Sequence, residues 1–301
     1  MLNLFQHLFF TTFVMMNKKI ILATLLLTSV FFSACDYIAI PKVEYTGVPE
    51  PADTVIRKVM LEDYTGHTCA NCPPAHAEAT ALKQIYGEKL VVVGVHAGVL
   101  SDPNPPNYPA NYQTTAGDAY EVFFFITGYP TGMVSRKGYT MTPQIHKITA
   151  YQSWDTHIDS VLAKPVAADI EINHTYNTGT RQLNISTSTK FLRDTIGNYW
   201  IVALITEDNI ESPQLNGTNY VPLYNHRHVL RGSVPNNAPW GYQIANGSIL
   251  AGDTANYDFP SFTLASGWND NNCSIVVYVY DNNPASPTYK EILQVEEQKI
   301  R

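Results

Sequence analysis

The sequence predicts an α/β domain followed by an all-β sandwich of immunoglobulin-like size, and three observations carry that expectation. Between residues 54 and 164, apolar strand-like runs alternate with segments of helical periodicity. Beyond Pro165 the helical pattern gives way to short β-rich runs separated by Asn, Gly and Pro. Ahead of both lies an apolar N-terminal stretch with two lysines and no acid, which reads as an export leader.

The chain has 301 residues and a formal charge of −7, and removing the leader lysines would make it more negative still. No cluster of Lys and Arg reverses that balance, so nucleic acid is excluded as a partner. The 15% charged content, with many Tyr, Thr, Asn and Pro residues, suits an extracytoplasmic protein.

Residues 16–35 read MNKKIILATLLLTSVFFSAC. Lys18 and Lys19 form a positive region, and Ile20 to Phe32 an apolar run too short to cross a bilayer core of ~30 Å as a helix. Ser33 and Ala34 place small residues directly before Cys35. This resembles the lipobox of bacterial lipoproteins, which implies that the Cys35 thiol is diacylated and becomes the new N-terminus; Phe32 stands where Leu is usual. An ordinary cleaved signal and an uncleaved anchor are the alternatives. The true start reads as Met15 or Met16, so 1–35 is the leader. Residues 36–53, broken by Pro41, Pro49 and Pro51, read as a tether.

In the α/β domain, 54–164, Thr54 to Leu61 reads as a strand ending in a turn over Glu62 to Gly66. Cys72 to Tyr86 reads as a helix, with Ala75, Ala79, Leu82 and Tyr86 at helical spacing and Pro73 in its first turn. Leu90 to Val95 is a continuous apolar run, the pattern of a strand buried on both faces. The Pro- and Asn-rich residues 101–112 form an inserted loop. Asp118 to Ile126 is a short helix, and Gly128-Tyr129-Pro130-Thr131 leads into a short strand and a turn at Arg136-Lys137-Gly138. Thr142 and Pro143 start a last helix with Ile145, Ile148, Tyr151, Trp154, Ile158 and Val161 along its apolar stripe.

The β domain, 165–301, offers seven or eight strands: Ala167–Thr175, Gln182–Lys190, Tyr199–Glu207, His228–Gly232, Tyr257–Leu264, Ser274–Tyr280 and Tyr289–Glu296. Cys273 falls in phase with Ile275, Val277 and Val279, which makes it a buried free thiol on an inner face.

The residues with the strongest chemical pattern are Cys69-Ala70-Asn71-Cys72-Pro73, after a strand and opening a helix. Two cysteines at this spacing close a small disulfide, and the helix N-terminus favours thiolate on the first sulfur. Cys69 would be the nucleophile and Cys72 the resolving thiol. A structural disulfide, half of a zinc site and a redox fold that has lost its catalysis stay open as alternatives. Zinc lacks two further ligands and no other metal pattern or cofactor motif is present; His226 and His228 could share a strand face, but no third ligand lies near them in sequence. His67 reads as a solvated loop residue able to stabilise a thiolate as a cation, and His96 as structural.

Tyr129-Pro130-Thr131 is similar to the segment of thioredoxins in which a cis-proline faces the CxxC and shapes the substrate groove. The order strand, CxxC helix, strand, helix, Pro-Thr strand matches that fold. Thr68 stands where many thioredoxins carry Trp, and the loop at 101–112 is additional.

Together the stretches resemble the Bacteroidetes outer-membrane lipoproteins named for a twenty-eight-kilodalton member. The residues carrying the resemblance are Leu61 to His67 running into Cys69 and Cys72-Pro73-Pro74, then Trp200 to Asp208, Pro213-Gln214 and His226 to Arg231. The resemblance implies a thioredoxin-like domain, a β-rich C-terminal domain and a lipid-anchored outer-membrane address. Two functions are compatible with it: thiol–disulfide exchange on envelope proteins, or binding and adhesion with the thioredoxin fold as scaffold. Either partner would be an envelope or surface protein.

Overall fold

The computed structural model describes residues 55–138 and 148–301. The leader, Cys35, the tether at 36–53 and the expected helix start at Thr142-Pro143 lie outside the described residues. All described residues fall within one compact unit, 53–301.

Strand β1 (Val59–Thr65) is buried along its whole length. It pairs in parallel with β2 (Leu90–His96) and antiparallel with β3 (Thr131–Val134). The turn expected over Glu62 to Gly66 is strand as far as Thr65, because both faces of β1 are covered and the adjacent acids Glu62 and Asp63 each lie on a buried face. Helix α1 spans Cys72–Tyr86, as the spacing predicts. Its Ala75, Ala79 and Leu82 pack on Leu61, Leu90 and Val92, with Trp154 and Ile158 of helix α3 (Trp154–Leu162) completing the cluster. That last helix starts later than expected: Ile148 instead bridges Gly132 as an isolated strand partner. A Cβ at Gly132 would lie 2.3 Å from the Trp154 indole nitrogen, so the close fit of α3 on β3 requires glycine there.

Helix α2 (Thr115–Phe123) is capped by the Thr114 hydroxyl, which accepts from the Gly117 N–H at 2.9 Å. It covers the opposite face of the sheet, with Ala116 and Tyr120 against Met60, Val91 and Val93.

A mostly-β region follows. Strands β4 (Ala168–Asn177), β5 (Gln182–Phe191), β11 (Thr254–Asp258) and β12 (Phe262–Thr263) make a four-stranded antiparallel sheet. Strands β6 (Thr195–Glu207), β9 (Val229–Ser233), β10 (Tyr242–Ile249), β13 (Cys273–Asp281) and β14 (Ile292–Lys299) join β1, β2 and β3 in a single eight-stranded sheet. Its main order is β14-β13-β6-β9-β2-β1-β3, with β10 also on β6. The sheet therefore runs across position 164/165. The seam is the parallel pairing of Gly94 with Val229, where the Gly94 N–H donates to the His228 carbonyl at 2.7 Å.

Strand β13 shows how both faces are used. Cys273, Ile275, Val277 and Val279 face the four-stranded sheet, meeting Leu183, Ile185 and Phe191. Val276, Tyr278 and Tyr280 point the other way, into the cluster under α2. Cys273 is a buried free thiol, in the expected phase.

Two further strands, β7 (Ile210–Asn216) and β8 (Asn219–His226), form a separate hairpin closed at Gly217, which has φ 60°. The hairpin and β10 lack apolar alternation, so periodicity misses them. The Asn216-Gly217 turn dipeptide was the available signal for the hairpin.

A buried ion pair within the first half is covered by rings from both halves. Arg136, which follows β3, donates to both carboxylate oxygens of Glu62 on β1, at 2.6 and 2.8 Å. Its guanidinium lies 4.5 Å from the Tyr120 ring centre, 4.9 Å from Phe124 and 5.1 Å from Tyr278. Removing one partner would leave the other charged and dry. Glu62→Ala is therefore expected to lower the unfolding free energy by about 3–5 kcal/mol in urea titrations. A Glu62→Met/Arg136→Met double variant should lose less than the single one, because neither buried charge is then left unpaired.

Candidate functional site

The cysteine pair sits where β1 hands over to α1. The Cys69 N–H donates to the Gly66 carbonyl at 3.0 Å, folding residues 66–70 into a tight turn. Cys72 is the first helical residue, and Pro73 and Pro74 suit a first turn whose N–H groups have no helical acceptor. The sulfurs of Cys69 and Cys72 are bonded to each other, with Cα atoms 5.4 Å apart.

The pair is covered. Cys69 is 2% and Cys72 0% exposed. Strand β7 lies along the 66–70 turn like an added strand: the Leu215 N–H donates to the His67 carbonyl and the Gly217 N–H to the Ala70 carbonyl, both at 2.8 Å. The fully buried Gln214 amide donates to the carbonyls of Gly66 at 3.2 Å and Cys69 at 3.1 Å. On the other side Thr68 donates through both its N–H and its hydroxyl to the Leu100 carbonyl, at 3.0 and 2.8 Å. A Cβ at Gly66 would sit 2.4 Å from that same oxygen, so the turn is threaded between two neighbouring segments.

His67 is not the solvated loop residue that the sequence suggests: it is 1% exposed. The inserted loop folds over it, stacking Tyr108 on the imidazole at 5.7 Å, and its Nε2 meets the Asp102 carbonyl at 2.9 Å. Burial holds its pKa below the ordinary range, which favours neutral imidazole over the cation a thiolate would need.

Pro130 follows a cis Tyr129-Pro130 bond at the head of β3. The next residue, Thr131, pairs with Tyr64 on β1, the strand whose end leads into the cysteine turn. Tyr129 donates its hydroxyl to the Glu121 carboxylate on α2. Cys35 lies outside the described residues.

Two polar groups beside the site, the buried Asp63 and the partly buried His76, escaped the sequence reading. Asp63, inside β1, has its carboxyl pushed up to about 8 by burial, and its Oδ1 has no hydrogen-bond partner. Its Oδ2 lies 3.8 Å from Nε2 of His76 on α1. The His76 pKa is pushed down to about 3, first by burial and then by the charge of His226. Near neutral pH the contact is thus an acid facing a neutral imidazole, not an ion pair. Adjacent acids, Glu62 and Asp63, within an apolar stretch were the signal for this site.

His226 and His228 do not share a strand face. His226 ends β8 and is buried, whereas His228 has φ 52° between strands and sets its Nδ1 3.3 Å from Asp208. His226 instead lies 5.6 Å, ring centre to ring centre, from His96, and Tyr112 sits between 5 and 6 Å from both. No group of three His, Cys, Asp or Glu side chains among the described residues could hold a metal ion.

A disulfide-forming CxxC at the start of a helix, on an α/β frame with a cis-proline before the neighbouring strand, defines a thioredoxin-like protein with a redox-capable pair, joined here to a mostly-β region. The sequence model for outer membrane protein Omp28 matches residues 117–301. The chain belongs to the Omp28 family and is a lipid-anchored outer-membrane protein. The matched stretch begins after the cysteine pair. Among solved structures, HBP35 of Porphyromonas gingivalis superposes with a TM-score of 0.60 at 15% identity, over 81% of this chain and 76% of that one. Protein AGR_C_4864 from Agrobacterium tumefaciens gives a TM-score of 0.49 at 11% identity, over 82% and 96%. No curated protein matches the chain.

The raised Asp63 carboxyl has a defined pH signature. The native state keeps a proton there that the unfolded chain, near its usual 3.8, has released. That stability is fully present below about pH 4 and is lost as pH rises through about 8. Asp63→Asn should match wild type near pH ~4 and exceed it near pH ~9 in urea midpoint, since the amide cannot ionise. Parallel pH profiles for the two proteins would contradict a buried protonated acid.

Proposed function

We propose that this chain is a binding or adhesion lipoprotein of the outer membrane, anchored through acylated Cys35, with the thioredoxin-like region as scaffold and the β region as contact module. The observation that carries this reading is the cover over the disulfide. Exchange requires a thiolate to reach a sulfur in line, and here both cysteines are buried, in a turn whose backbone is held by β7 and Gln214. A disulfide held this way acts as a staple, constraining the chain where β1, α1 and the β7–β8 hairpin meet. The apolar layer between the four-stranded sheet and β6 and β13 supports reading residues 165–301 as an immunoglobulin-like sandwich. The sandwich shares its larger sheet with residues 54–164.

Thiol–disulfide exchange on envelope proteins is the second reading. It is favoured by the bonded CxxC at the start of a helix and by cis-Pro130 at the head of β3. In that reading Cys69 attacks, Cys72 resolves and Pro130 shapes the groove for the substrate.

The two readings separate in an insulin-reduction assay with dithiothreitol. The scaffold reading expects the full chain and its Cys69→Ser/Cys72→Ser variant to turn over insulin at the same rate. A rate about tenfold or more above the variant establishes exchange instead. Crosslinking in intact cells supplies the complementary test: adducts with surface proteins should persist in Cys69→Ser. Adducts that vanish in Cys69→Ser and are released by reductant overturn the scaffold reading.

The anchor has its own test. Cells fed an alkyne-tagged fatty acid should label the wild-type chain and leave Cys35→Ser unlabelled and free of the membrane fraction. Equal labelling of both would place the lipid elsewhere.

A further inference from the structure

A cavity of about 650 Å³ opens beside the cysteine turn, between α1 and the chain joining β8 to β9. That volume suits a small organic molecule. Its floor is the sheet face carrying Asp63, Thr65 and His96, and one wall is the Pro73, Ala77 and Ala81 side of α1. The opposite wall is Tyr224 to His228.

Three features of the lining point to an occupant. His96 is 3% exposed, and neither ring nitrogen has a hydrogen-bond partner. Asp63 Oδ1 is also unpartnered. Buried polar atoms left this way cost stability unless something satisfies them. At the rim Arg227 is exposed, and among the described residues no carboxylate pairs with it. Arg227 is the one permanently charged group of the lining, because Asp63 holds its proton and burial keeps His76, His96, His226 and His228 below their usual pKa range.

We propose that this cavity binds a small organic carboxylate, its acid group turned to Arg227 and the unpartnered His96 ring, its apolar body against Pro73, Ala77 and Ala81. A carboxylate gives the guanidinium a counter-charge and supplies an acceptor to the His96 N–H, a charge-assisted arrangement. The aliphatic helix wall asks for carbon rather than a second polar end. Two other ligand chemistries fit less well. Metal is disfavoured because no three ligand-type side chains stand at metal-binding spacing among the described residues. Phosphate uses backbone N–H groups at a helix start, and the first turn of α1 puts Pro73 and Pro74, which have no N–H, at the cavity. The proposal stands apart from the choice between scaffold and exchange, since neither cysteine lines the cavity.

Hexanoate is the probe, with hexanol as the uncharged isostere, titrated calorimetrically into the full chain near neutral pH. Hexanoate should bind saturably, in a sub-millimolar range, and about tenfold more tightly than hexanol. Arg227→Gln, an exposed change that leaves the fold intact by circular dichroism, should weaken hexanoate by about tenfold and leave hexanol unchanged. Absence of saturable hexanoate binding, equal affinity for hexanol, or an undiminished affinity in Arg227→Gln would overturn the proposal. So would competition by Zn²⁺ or inorganic phosphate at lower concentration than hexanoate.

Discussion

The buried Glu62–Arg136 pair is the constraint around which the rest of the molecule is arranged. A guanidinium without water needs a carboxylate in bidentate geometry and aromatic faces over its remaining surface. Glu62 comes from β1, Tyr120 and Phe124 from α2 and its C-terminal cap, and Tyr278 from β13, so satisfying one cation fixes three elements drawn from both halves of the chain. The Tyr120 and Tyr278 hydroxyls meet at 3.0 Å and close the ring of contacts. A slip of β1 by one residue would turn Glu62 to the other face and leave Arg136 with no partner. The register of the central sheet and the seating of α2 therefore depend on the same charge.

That dependence explains what could be read in advance. The helix at Cys72–Tyr86 and the strand at Leu90–His96 were legible because their patterns arise locally, from 3.6-residue spacing and an unbroken apolar run. The inner-face phase of Cys273 was legible for the same reason. Glu62 and Asp63 misled because local rules place two acids in a turn, whereas here a distant arginine and a retained proton let them lie inside a strand. The continuity of the sheet across 164/165 was hidden too, since the pairing of β2 with β9 joins residues more than a hundred positions apart at a glycine with no side-chain signature.

The candidate site divides along the same line. Cys69, Cys72 and Pro130 announce themselves by spacing and order, and the disulfide and the cis bond are both present. The strand that holds the cysteine turn, β7, was not legible, because its sequence IESPQLN carries a proline and little periodicity. Gln214 matters through the carbonyls it reaches, not through its type. His67 changed from a solvent-facing group to a buried one because the Pro-rich insertion has aromatic residues to lay over it. In each case the missing information was a long-range contact, and single-sequence patterns are blind to those.

The seam at Gly94 and Val229 also has a mechanical meaning. Along the order of paired strands, force entering at β1 crosses from β2 to β9 to reach the outer strands. The seam itself is narrow, but other links lie beside it, among them β7 laid along residues 66–70, the Gln294 side chain of β14 bonded to Ile56 and Lys58, and the Arg136 guanidinium over Tyr278. The disulfide stops the turn under β7 from paying out slack. The cysteines lock only the turn from 69 to 72, and the joint around that turn is shared among these links.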